Sequence, residues 1–64
     1  MGIGVLIRAR RFLDEHGQDA VPKAADIARS YAERGDQWEA ETWRRIEETI
    51  REMQDRGRNG SGGN

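Results

Sequence analysis

The stretch Arg34-Gly35-Asp36-Gln37-Trp38-Glu39 constrains the fold more than any other part of this 64-residue chain. Glycine enters the left-handed backbone conformation without the clash a Cβ would cause, so Gly35 can close one helix. Asp36 can then cap the next, and Glu39, three residues on, can reach back to complete a capping box. One helix stops and another starts with almost no loop between them, which makes the two antiparallel neighbours. His16-Gly17-Gln18-Asp19 repeats the arrangement earlier in the chain, with Asp19 as the expected N-cap. Two breaks divide the sequence into three helices. The expected fold is all-α, a small three-helix bundle with short turns.

Apolar spacing places the helices. The first is expected over residues 3–16, where Val5, Ala9, Phe12 and His16 recur at helical intervals beside Leu6 and Leu13. Ile3 and Ile7 widen this stripe beyond what one neighbouring helix needs. The second is expected over residues 20–34, with Pro22 in the first turn, where its missing amide hydrogen costs nothing. Val21, Ala24, Ala28 and Tyr31 form its stripe, and its alanines make it slim enough for the middle of a bundle. The third is expected over residues 37–56, roughly 30 Å long. Its seam is Trp43, Ile46, Ile50 and Met53, extended by Ala40. Its opposite face carries Glu41 with Arg45, Arg44 with Glu48, Glu47 with Arg51 and Glu52 with Arg56, each pair at i,i+4 spacing. Residues 57–64 read GRNGSGGN and offer nothing apolar to bury, so a flexible glycine-rich C-terminal tail is expected there.

That leaves roughly 55 residues to fold, near the lower limit for a chain that folds alone. Seven of the 22 apolar residues are alanine, so large apolar side chains are few. Small scaffolds generally need a staple. The chain has no cysteine for a disulfide and no set of residues at metal-ligand spacing. Self-association is the staple that remains.

Eleven basic residues stand against twelve acidic ones, for a net charge of −1. Proteins that bind bulk nucleic acid carry a basic excess, so the balance argues against that class. No apolar run reaches the ~20 residues of a membrane span, and the opening MGIGVLI is shorter than a secretory signal core. Leu6 stands where a myristoylation signal needs Ser or Thr. A cytoplasmic protein without a membrane role is expected.

No catalytic constellation emerges. Ser30 and Ser61 have no base at a diagnostic spacing. His16 is the only histidine, and its position at the C-terminal end of a helix favours interaction with the helix dipole over a metal. Gly2-Ile3-Gly4 lacks the third glycine of a dinucleotide-binding fingerprint, because position 7 is Ile7. Arg8, Arg10 and Arg11, joined by Arg44 and Arg45, could contact phosphate, but Asp14 and Glu15 lie close by. They read as a solvated face. Trp38 lies about 140° around its helix from Trp43 and does not share the core seam. It is either a lid over the second and third helices near Tyr31 and Arg34, or an anchor for a partner, since tryptophan and arginine dominate binding hot spots.

With the breaks placed, the pattern Leu13-x-x-His16-Gly17-x-Asp19-Ala20, then Ala24 to Ala32, Gly35-Asp36, Trp43-x-x-Ile46 and Ile50 resembles a group of short helical proteins of alphaproteobacteria, a domain family of unknown function. The resemblance spans about residues 8–54. Trp38 and the glycine-rich end fall outside the shared pattern. The resemblance implies a small all-α bacterial protein, and it implies no activity and no catalytic residues.

The expectation is therefore a non-enzymatic interaction module without a cofactor, which self-associates or docks on a larger protein. Its contact residues would be Trp38, Ile3, Ile7, Ile50 and Met53, with Arg8, Arg11 and Arg45 around them. Two alternatives are an inhibitor of a host complex encoded by a phage or mobile element, of the anti-CRISPR kind, and a nucleic-acid-binding regulator.

Overall fold

The structure, a computed structural model, describes the backbone of residues 2–62 and the side chains of residues 3–56. It is all-helical, with no strand among the described residues. Helical backbone runs in two stretches. The first comprises α1 (Gly2–His16), a single 3-10 turn (Gly17–Asp19) and α2 (Ala20–Glu33) without an intervening loop. The second is α3 (Gln37–Gly62).

The break at Gly35 forms as the sequence dictates. Gly35 sits at φ +83°. Its amide donates to the Ala32 carbonyl at 3.0 Å, and the Asp36 amide donates to the Tyr31 carbonyl at 2.9 Å. These are the two bonds of a Schellman motif, and they occupy carbonyls that α2 would otherwise leave unpaired. The Glu39 amide donates to Asp36 Oδ1 at a long 3.4 Å, which is half of the capping box. The return half needs the Asp36 amide, which the Schellman motif has already taken. The expectation that Glu39 reaches back is corrected accordingly.

The break at Gly17 is softer. Gly17 adopts φ +58° and turns the chain. Asp19, expected to cap α2, makes no side-chain cap bond and has helical backbone angles, φ −85° and ψ −3°. A capping side chain needs an extended backbone to swing over the first amides. Here the 3-10 turn delivers the chain already coiled, and the Ala20 amide donates to the Gly17 carbonyl instead.

Buried residues among those described are Ala9, Ala20, Ala24, Ala28, Ala40, Ile46 and Ile50. Only the two isoleucines are large. Ala20, Ala24 and Ala28 lie one turn apart on α2 and let its backbone approach the Ile46/Ile50 seam of α3 closely. Val5, Phe12, Leu13, Val21, Trp43 and Met53 pack partly buried around this cluster. α3 is the hub, in contact with both other helices, whereas α1 and α2 touch sparingly. The slim α2 was expected in the middle. Its alanine stripe is too narrow to serve two neighbours, while the α3 seam, flanked by Trp43 and Met53, is wide enough.

α1 runs in the same direction as α3. Val5 shares a groove with Gln37 and Trp38 at one end. The Phe12 ring meets Trp43 edge-on at 5.2 Å in the middle. Gln54 Nε2 donates to the Gly17 carbonyl at 3.4 Å at the other end. His16 tilts against Phe12 with ring centroids 4.4 Å apart, so the single histidine extends this aromatic contact. Of the i,i+4 pairs expected on α3, Glu47–Arg51 closes at 3.1 Å.

The end of α3 also differs from expectation. Its backbone is helical to Gly62, six residues past the expected stop at Arg56. The expected flexible tail is therefore helical in backbone over residues 57–62, and Gly63 and Asn64 lie outside the described residues. No helix among the described residues is long and apolar enough to cross a membrane.

Candidate functional site

Among the described residues, four large apolar side chains stay out of the core: Ile3 at 73% exposure, Leu6 at 50%, Ile7 at 56% and Trp38 at 75%. Three occupy the first two turns of α1 and the fourth begins α3. Because α1 and α3 run in the same direction, all four lie at one end of the molecule.

Helical geometry explains the pattern on α1. Val5, Ala9, Phe12 and His16 repeat on the side that meets α3. Ile3 and Ile7, one turn apart, are rotated about 160–180° from that side. They cannot reach the core whatever their hydrophobicity. Leu6 stands on the flank.

Between α1 and α3 at this end lies an open groove of about 730 Å³. Gly4, Val5 and Arg8 form one wall, and Gln37, Trp38, Glu41, Thr42 and Arg45 form the other. Trp38, Glu41, Thr42 and Arg45 follow i, i+3, i+4, i+7 spacing, which puts them on one face of α3. The Thr42 hydroxyl donates to the Trp38 carbonyl at 2.9 Å, so it is satisfied locally. Apart from its chain neighbours and the backbone of its own helix, no described atom lies within 4 Å of the position a Cβ would take at Gly4.

The residues expected to bind a partner divide accordingly. Trp38, Arg8 and Arg45 line the groove, and Ile3 and Ile7 are exposed at the same end but on the side of α1 turned away from α3. Arg11 is exposed on α1 but is not part of the groove wall. Ile50 is removed from the set: it is fully buried under α2. Met53 is half-buried against the same core. Both belong to the α3 seam, whose period matches the α2 alanines, and that pairing hides them.

Trp38 is not the lid over α2 and α3. Arg34 covers Tyr31 instead, with its guanidinium 5.4 Å from the ring centroid, and Trp38 faces the α1 side. Sequence reasoning missed Leu6, Gly4, Glu41 and Thr42 as parts of this end. The signal for the α3 wall was present in the spacing from Trp38 to Arg45. That for Gly4 was not, because it depends on how α1 is set against α3.

No polar or charged side chain is buried among the described residues, and no three His, Cys, Asp or Glu side chains gather where they could hold a metal ion. Comparison of the chain with protein-family models, with curated proteins and with solved structures finds no match.

Proposed function

We propose that this protein is a non-enzymatic interaction module, a three-helix bundle working in the cytoplasm, that binds protein through the end formed by the start of α1 and the start of α3. One observation carries the reading: Trp38, 75% exposed, lines an open groove between α1 and α3, and Ile3, Leu6 and Ile7 are half or more exposed at the same end of the molecule. Scattered exposed apolar residues are ordinary, but a cluster beside a concave surface marks a binding site. Trp38 supplies the large, rigid contact typical of a hot spot, and Arg8 and Arg45 supply rim polarity.

Site-specific photo-crosslinking in cells tests it. A photoreactive phenylalanine analogue at position 38 is expected to form an adduct with a protein chain. The same group at position 52, an exposed glutamate on the outer side of α3, serves as the control. Equal crosslinking from both positions, or none from position 38, would remove the basis for the reading.

A further inference from the structure

We infer that the outer face of α1 docks this protein on an anionic lipid bilayer, with Ile3, Leu6 and Ile7 entering the boundary between headgroups and acyl chains while Arg10 and Arg11 meet the lipid phosphates. This face is separate from the groove, and the inference does not rest on the reading above.

The first argument is placement. At 3.6 residues per turn, Leu6, Arg10, Ile3, Asp14, Ile7 and Arg11 fall within an arc of about 140° on α1, and all six are exposed. Val5, Ala9 and Phe12 occupy the opposite side and pack into the core. The exposed arc is ordered along the helix axis, with the apolar side chains first and the arginines one turn later. Ile3 and Arg10 are about 10 Å apart along the axis. A helix seated in a bilayer interface sinks its apolar side chains about 5–10 Å and leaves its basic ones at the headgroups. Long arginine side chains reach outward to that level. No membrane span is needed for this, and no helix among the described residues provides one.

The second argument is charge. From residue 3 to residue 13 the charged side chains are Arg8, Arg10 and Arg11, with no acidic residue among them. Asp14 lies on the same arc, 3.6 Å from Arg10 in an exposed pair. It stands a turn beyond the arginines, on the water side of a helix inclined toward its N-terminal end. Glu33, Asp36, Glu39 and the groove residue Glu41 are also at this end of the molecule, but α2, the Gly35 turn and α3 carry them, to the core side of α1. They would repel an anionic surface, so the cationic outer face of α1 is the side that meets it.

The third argument is shape. Ile3 and Ile7 project from a convex face, and the groove lies on the other flank of α1. Three partly exposed aliphatic side chains fall well short of the roughly 1,000 Å² that a specific protein interface buries. A fluid bilayer requires no matching recess, and it combines a small apolar contact with attraction to basic side chains.

The experiment is co-sedimentation of the full chain with vesicles of phosphatidylglycerol and phosphatidylcholine in equal parts, and with vesicles of phosphatidylcholine alone, at low and high sodium chloride. Binding to the anionic vesicles is expected at millimolar lipid or below, at least about tenfold tighter than to the neutral ones and weakened by salt. Ile3→Ser with Ile7→Ser should weaken it at least about tenfold. Arg10→Gln with Arg11→Gln should do the same. All four side chains are exposed, so circular dichroism should be unchanged. Trp38→Ser, on the groove side, should stay within about twofold of the wild type. No binding to the anionic vesicles at low salt overturns the inference. Binding indifferent to the isoleucine pair overturns it too, by reducing the contact to charge alone. An equal loss from Trp38→Ser would move the contact to the groove and overturn the α1 face. A photoreactive group at position 7 that captures a protein in cells, with no vesicle binding, would assign the face to that protein. Crosslinking from position 38 tests the groove and stands or falls separately.

Discussion

The seam between α2 and α3 and the open end of α1 use similar residues to opposite effect. Ile46 and Ile50 are fully buried, while Ile3 and Ile7, also isoleucines one turn apart, are more than half exposed. What differs is the facing surface. The α3 isoleucines meet Ala20, Ala24 and Ala28, whose small side chains let the backbones approach. The α1 isoleucines lie opposite the face that α1 turns to α3, and no other element among the described residues covers them. Burial in so small a protein is decided by whether a partner surface of matching period is present, and hydrophobicity alone does not predict it.

The strongest way to break that comparison is to charge each pair. Ile50→Glu should unfold the domain, because an unpaired carboxylate in a dry core costs several kcal/mol and a domain this small has little to spare. Ile7→Glu should leave the circular dichroism of the dilute protein unchanged. If Ile50→Glu stays folded with normal thermal cooperativity, the seam is not what holds α2 to α3. A gentler version is Ile46→Ala, expected to cost about 2–4 kcal/mol in urea denaturation through lost burial and the cavity left behind. The same truncation at Ile3 should move the midpoint very little.

The two glycine breaks extend the comparison to the turns. Both glycines have positive φ, so Gly35→Ala and Gly17→Ala should each cost about 1–2 kcal/mol. The aspartates that follow should not behave alike. Asp36 accepts a bond from the Glu39 amide, and Asp36→Ala should cost about 0.5–1 kcal/mol. Asp19 accepts no cap bond, and Asp19→Ala should change stability by less than about 0.5 kcal/mol. Equal losses at the two aspartates would show that Asp19 caps α2 in solution.

This asymmetry also shows how far the residues alone carry. The all-helical class and the conformation of both glycines were legible, because each depends on local chemistry: a run with a 3.6-residue period, and a Cβ-free residue after it. The fate of Asp19 was not, because it depends on whether the preceding turn arrives extended or coiled. Nor was the Glu39 return bond, which competes with the Tyr31 carbonyl for one amide. The placement of Ile50 as a partner contact failed for a tertiary reason. Its spacing fits an exposed overhang as well as a seam until the α2 alanines are set against it. The groove was half legible. Trp38 to Arg45 declare one face of α3, but that Gly4 and Arg8 form the other wall follows only from α1 and α3 running in the same direction.

The smallest expected effect sharpens the contrast most. Leu6→Ser removes an aliphatic side chain that is already 50% exposed and lies on the flank of α1. In dilute solution it should shift the unfolding free energy by no more than about 0.5 kcal/mol, the range of surface substitutions away from special contacts. At high protein concentration the outcome depends on what covers this end. An occupant that binds only the folded chain adds stability in proportion to the logarithm of its concentration. If copies cover one another, the wild-type melting temperature climbs with concentration and that of Leu6→Ser climbs less. If nothing covers the end, the two curves stay parallel at every concentration. A large loss already present in dilute solution would mean that Leu6 belongs to the fold, and that the boundary between buried seam and open end lies a turn nearer the N-terminus than the exposures place it.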